Sequence, residues 1–281
     1  MRLANLEGRA ALVLGEGVAD LERASGGRFP ADPLEALRRL DALRDWAAGL
    51  GPGAAEAPLR PERLGPPVPR PAKVFGIGLN YRAHAAEAGL EVPKAPMVFT
   101  KFPTCLVGAR ADVVLSDSGA CDYEAELVVA IGRGGRRIPE ARALDHVAGY
   151  CAGQDISDRR LQFADKPPQF SLGKSYDSFG PVGPVLVTLD AIRDPGDLEL
   201  GCEVSGERLQ HARTSDMIFA VPELLAYLSS VCTLEPGDLI FTGTPAGVGS
   251  MRSPRRYLVP GDEIVTTLEG VGQLVNRCRA A

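Results

Sequence analysis

A short acidic run marks where this chain could hold a cation. In Asp122-Tyr123-Glu124-Ala125-Glu126-Leu127-Val128-Val129-Ala130-Ile131, strand alternation would turn Asp122, Glu124 and Glu126 to one face and Tyr123, Ala125 and Leu127 to the other. The α-carbons of Glu124 and Glu126 would then stand roughly 6.5–7 Å apart, close enough for both carboxylates to reach one ion. From Leu127 to Ile131 both faces are apolar, which argues for burial. Adjacent buried carboxylates repel each other unless a cation compensates them. Taken alone, the run fits a metal site and the polar start of a strand equally well, because E-x-E is common by chance.

A second segment adds a third oxygen ligand. Gly149-Tyr150-Cys151-Ala152-Gly153-Gln154-Asp155-Ile156-Ser157 reads as a strand running into a Ser-capped helix, with Asp155 at the switch. Three carboxylates with no His or Cys companion suit a hard divalent ion that keeps positions open for water or substrate, hence Mg²⁺ or Mn²⁺. Of the three histidines, His146 and His211 read as surface or packing residues. His84 stands three residues before Glu87 on a short helix, and a carboxylate beside imidazole fixes its tautomer and raises its basicity. That is what a water-activating base needs. The Gly76-Ile77-Gly78 beside it lacks the third glycine of a dinucleotide fingerprint. Lys174, ahead of a Gly/Pro-rich loop, reads as partly enclosed. Arg159, between Asp158 and Arg160, fits a solvated face as well as a site.

The elements that must position these groups are short. Leucines 34, 37, 40 and 43, with Trp46, recur at steps of three after Asp32-Pro33 and predict one capped helix to Leu50. Seven prolines between residues 51 and 71 mark an extended linker and a domain boundary. Beyond it, β-branched or alternating runs dominate, with few helical interruptions and three Pro-Gly-Asp turns (195–197, 236–238, 260–262). The expectation is a mainly β, α+β fold: residues 1–70 form a small N-terminal α+β domain with its linker, and residues 71–281 a β-rich roll or sandwich with short helices. A doubly wound parallel sheet is excluded by the lack of regular strand–helix alternation. The segment around His84, lying between two strands, is expected to be loosely held and able to close over the site.

Composition narrows the partners. With 31 basic and 36 acidic residues, a net charge of −5 and no basic block, nucleic acid and anionic membranes are poor fits. No apolar run of membrane-spanning length or signal peptide is apparent, so a cytoplasmic location is expected. The six scattered cysteines then read as buried reduced thiols.

Taken in order, the blocks GIGLNYRAHAAE (76–87), DYEAEL (122–127), GYCAGQDISDRRLQ (149–162), FSLGKSYDSFGPVGP (170–184), TSDMIF (214–219) and PGDLIFTGTPAGVG (236–249) resemble the fumarylacetoacetate hydrolase family, from about Lys73 to Asn276. The resemblance implies a mixed β-sandwich roll and a homodimer. It implies that Glu124, Glu126 and Asp155 hold Mg²⁺ or Mn²⁺, that His84 with Glu87 activates water, and that Lys174 lies beside metal and substrate. Arg159, Gln162 and Thr244 match substrate-side positions. The further acidic ligand of the mammalian-type enzymes has no counterpart upstream, which points to the smaller bacterial branch.

Family substrates share a 2-oxo acid head. Hydrolysis of an acylpyruvate-like 2,4-dioxo acid would leave an enolate, whose charge the ion and Lys174 would stabilise. Decarboxylation of oxaloacetate-like acids, or isomerisation of hydroxymuconate or 2-hydroxyhepta-2,4-diene-1,7-dioate, would use the same ion without the activated water. A catalytically silent binding protein is the reading from another class, and the complete set of metal and base positions argues against it.

Overall fold

The structure, a computed structural model, describes residues 1–281. Strands β1 (Arg2–Leu6), β2 (Arg9–Leu14) and β3 (Gly17–Asp20) form an antiparallel meander. The leucine-periodic stretch is two helices, α1 (Pro33–Leu37) and α2 (Leu40–Ala47), rather than one. Asp32 caps α1 as its sequence predicts, accepting the N–H groups of Leu34 and Glu35 at 2.9 and 3.0 Å. Arg39 leaves helical geometry between them, yet Leu37, Leu40 and Leu43 all stay buried.

After the proline-rich stretch come β4 (Val74–Gly78), α3 (Arg82–Glu87) and β5 (Met97–Thr100). The centre of the chain supplies β6 (Ala125–Ile131), β7 (Val147–Gln154), α4 (Arg159–Gln162), α5 (Phe170–Gly173) and β8 (Gly180–Val187). The last third supplies β9 (Glu199–Val204), β10 (Glu207–Arg213), α6 (Val221–Val231), β11 (Leu239–Phe241), β12 (Glu263–Leu268) and β13 (Gly272–Arg279). Asp238 and Asp262 close two of the Pro-Gly-Asp turns by accepting the N–H groups of Glu235 and Val259 at 2.8 and 2.9 Å.

The expected strand-dominated α+β roll is built from two larger sheets. In the 12-stranded one the main path runs β3-β2-β1-β8-β7-β6-β11-β4-β5, and in the 5-stranded one β10-β9-β12-β13. Pairing in the first is antiparallel apart from β11 beside β4 and the short strand Leu106–Val107 beside β8. β6 and β7 are buried along their whole length, as apolar character on both faces requires. The N-terminal 70 residues and the remainder share this sheet, because β1 pairs with β8 at Arg2–Val187 and Leu3–Leu186. One cluster of 65 buried hydrophobic residues runs from Leu3 to Cys278. All six cysteines are free, and all but Cys232 are fully buried. No helix is long and apolar enough to cross a membrane.

Three local expectations are corrected. β6 begins at Ala125, not Asp122, because pairing with the 147–158 segment lapses at Tyr123–Glu124 before Cys121–Asp122 pairs with Ser157–Asp158. The acidic run therefore straddles a gap in one antiparallel ladder, whose register is the same on both sides: Asp122 opposite Ser157 and Ala125 opposite Gln154. Helix α4 is capped by Asp158, which accepts the Leu161 N–H at 3.0 Å, and not by Ser157. The segment carrying α3 is pinned at its start rather than loose. The Asn80 side chain donates to Thr242 O at 2.7 Å and Phe219 O at 3.0 Å and accepts the Phe219 N–H at 2.8 Å.

Candidate active site

The fold brings Glu124, Glu126 and Asp155 together: one carboxylate oxygen from each lies within 4.8 Å of the others, and all three residues are buried. Asp155 leaves the end of β7 and is registered by its own N–H, which donates to Glu124 O at 2.9 Å. The Glu124 N–H donates in turn to Gln154 Oε1 at 2.9 Å. Glu126, on β6, accepts the Gly243 N–H at 2.8 Å. Position 243 requires glycine: its φ is +102°, and a Cβ would meet Asn80 Cβ at 2.6 Å and Ile77 O at 2.9 Å.

Cations face two of these carboxylates. Lys174 Nζ donates at 2.7 Å to Glu124, to Asp155 and to Ser157 Oγ. Ser157 can accept there because Asp158 does the capping. Arg159 reaches Glu124 at 2.6 Å and Asp122 at 2.8 Å. Asp122 also accepts the N–H groups of Gly249 and Ser250 at 2.7 and 3.0 Å, so it anchors Arg159 and stands outside the triad. Burial alone would raise the Glu124 carboxyl, but Lys174 and Arg159 hold it down at about 2. Glu126 has no cation in contact. Its burial, with Asp155 and Glu124 alongside, pushes its carboxyl well above the ordinary range. An all-oxygen donor set with one uncompensated buried carboxylate fits a hard divalent cation.

Sequence reasoning missed Lys101. It is buried beyond β5, and its Nζ donates to Asp155 Oδ1 at 2.7 Å, to Phe179 O at 3.1 Å and to Lys174 O. Its ammonium adds a buried positive charge beside Asp155.

His84 and Glu87 meet as their spacing predicts, Nδ1 to Oε2 at 3.2 Å. Glu87 is itself held by the Gly247 N–H, at 3.0 and 3.2 Å from its two oxygens. With Nδ1–H directed at Glu87, Nε2 is left as the acceptor. His84, Glu124, Arg159, Gln162, Lys174 and Thr244 all line one cavity of about 250 Å³. Gln162 accepts from Arg159 Nη1 at 2.9 Å. The Thr244 hydroxyl is taken up within the fold, donating to Ala125 O at 3.0 Å and accepting from Gln210 at 2.8 Å, so it shapes the wall. His146 and His211 lie elsewhere, bonded to Arg133 O and Glu199. A larger depression of about 820 Å³, between α2 and the outer ends of β6 and β7, contains none of the triad.

A family model described as fumarylacetoacetate (FAA) hydrolase C-terminal matches residues 73–279. The bovine mitochondrial oxaloacetate tautomerase FAHD2B is 42% identical over 212 residues, covering 75% of this chain and 68% of its own. Among solved structures, a candidate HpcE protein from Mycobacterium smegmatis is 50% identical with a TM-score of 0.94, covering 100% of both chains. Maleylpyruvate hydrolase from Sphingobium sp. SYK-6, solved with manganese(II) and pyruvate, is 32% identical with a TM-score of 0.84, also over 100% of both chains.

Proposed function

The chain belongs to the fumarylacetoacetate hydrolase family, and on that premise we propose that it is a Mg²⁺- or Mn²⁺-dependent hydrolase cleaving a carbon–carbon bond in acylpyruvate-like 2,4-dioxo acids. The observation that carries this reading is that Glu124 of the carboxylate triad, Lys174 and His84, the last held by Glu87, line one cavity. Glu124, Glu126 and Asp155 would hold the ion, which when bound supplies electrophilic polarisation of the 2-oxo acid head.

The protein's own groups do the rest. Glu87 holds the imidazole through Nδ1, so Nε2 of His84 takes a proton from the attacking water. Water oxygen bonds to the distal carbonyl carbon, and the bond from that carbon to the methylene breaks. The electron pair passes to the methylene side as an enolate, which a proton converts to pyruvate, while the acyl group leaves as a carboxylate. Lys174, fixed by three acceptors, places a positive charge where the enolate develops. Arg159 acts by holding Glu124 and Gln162 in place.

Decarboxylation or keto–enol isomerisation would use the triad and Lys174 without the activated water, so the His84–Glu87 pair favours hydrolysis. The test is incubation of Mn²⁺-loaded protein with acetopyruvate, oxaloacetate and a hydroxymuconate-type diacid, with product identification. Pyruvate and acetate from the first are the expected result. A two-fold homodimer belongs to the same proposal and rests on the family resemblance. Light scattering at the 29.7 kDa of one chain would contradict it.

A further inference from the structure

The cavity is charged only around the triad. Among its lining side chains, Glu124, Lys174 and Arg159 are the charged ones, with His84 beside them. The two cations are already paired, Lys174 with Glu124 and Asp155, Arg159 with Glu124 and Asp122. A row of aromatic rings leads away from them. Lys174 Nζ stands 5.1 Å from the Phe99 ring centroid. Phe99 packs on Phe170 at 5.8 Å and Phe170 on Phe163 at 6.3 Å, and Phe163 is 53% exposed at the mouth. Leu90, Met97 and Met251 widen this wall, and the nearby hydroxyl of Thr244 is committed to the fold.

We infer that the acyl group of the substrate is neutral and apolar, and that short dioic 2-oxo acids are rejected. The inference rests on the 2-oxo acid chemistry proposed above and narrows it. The acid head is drawn to the charged end, which places the tail along Phe99, Phe170 and Phe163. A second carboxylate there would lose water without gaining an unpaired cation, and the neutral Gln162 amide and Ser250 hydroxyl that also line the cavity do not compensate a desolvated charge. A methyl or phenyl end gains by leaving water.

Calorimetric titration with Mn²⁺ present tests this without turnover, using 2-oxohexanoate and 2-oxoadipate, which share a chain and differ in the terminal methyl or carboxylate. The methyl-ended acid should bind at least about tenfold tighter. Affinity should rise roughly three- to fourfold per methylene from 2-oxobutanoate to 2-oxohexanoate. Phe163→Lys, at an exposed position, should narrow the gap by improving 2-oxoadipate alone. Equal or tighter binding of 2-oxoadipate by the unmodified protein would overturn the inference. If that preference vanished in an Arg160→Ala/Arg255→Ala variant, the second carboxylate would belong to the adjoining depression that these arginines line, and the inference would again fail. Hydrolysis of acetopyruvate with no selectivity between the two probes would overturn the tail preference and leave the proposed reaction standing. Selective binding with no hydrolysis of any 2,4-dioxo acid would do the reverse.

Discussion

Lys101 Nζ lies 2.7 Å from Asp155 Oδ1, and neither side chain has any exposure to solvent. Asp155 would keep Lys174, but removing Lys101 takes away one of its two buried cations, and breaking a buried pair typically costs up to about 3–5 kcal/mol. Lys101→Met should therefore lower the stability of the metal-free protein by up to that amount in urea denaturation. Saturating Mn²⁺ should then restore more stability to the variant than it adds to the unmodified protein, because the ion takes over the neutralisation of Asp155. Equal Mn²⁺ increments in both would remove Lys101 from the site.

The uncompensated position of Glu126 separates metal binding from folding. Glu126→Gln keeps the shape and can still accept the Gly243 N–H, while removing a carboxyl whose ionisation burial and like charges oppose. The metal-free variant should be at least as stable as the unmodified protein. Mn²⁺ at a hundredfold its Kd should stabilise the unmodified protein by about 2.7 kcal/mol, and the same concentration should do little for the variant. Thermal melts with and without Mn²⁺ read both effects.

Gly243→Ala tests the backbone support of the triad. At φ +102° with Asn80 Cβ 2.6 Å from the new methyl, the loop must shift, at a cost of about 1–3 kcal/mol. Mn²⁺ affinity should fall as the N–H leaves Glu126. Gly89→Ala is the control, since it shares the positive φ but its Cβ would meet nothing within 4 Å. It should lose stability with little change in Mn²⁺ affinity.

His84→Ala should lower acylpyruvate turnover by roughly 10²–10⁴-fold, the usual worth of a positioned base, and leave Mn²⁺ affinity unchanged. Glu87→Gln should cost less, since an amide oxygen can still accept from the Gly247 N–H and only the orienting charge is lost. Unchanged turnover in His84→Ala would leave the base unassigned.

Much of the site is legible in the sequence because its parts are local. Glu124 and Glu126 are two residues apart and His84 and Glu87 three, so strand and helix periodicity alone bring each pair together. Asp155 announces itself as an acid ending an apolar strand. Lys101 does not: its acceptors lie 54, 73 and 78 residues onward, and nothing near it in sequence is acidic. Asp122 keeps the face that alternation gives it, since Arg159 Nη2 reaches both it and Glu124. What the sequence does not show is its partners: besides Arg159 it accepts the N–H groups of Gly249 and Ser250, 127 and 128 residues onward. The N-terminal strands are readable one by one. Their joining to β8 is not, because an edge-to-edge pairing of Leu3 with Leu186 is set by packing across the whole chain.

The most direct measurement of the central claim is acetopyruvate hydrolysis by the Mn²⁺-loaded protein in ¹⁸O-labelled water. If His84 activates water for attack on the distal carbonyl, acetate and pyruvate should form in equal amounts, the acetate carrying one solvent oxygen. EDTA and His84→Ala should both suppress the labelled product. Unlabelled acetate, or keto–enol interconversion of oxaloacetate with no acetate from acetopyruvate, would contradict hydrolysis as the activity of this site.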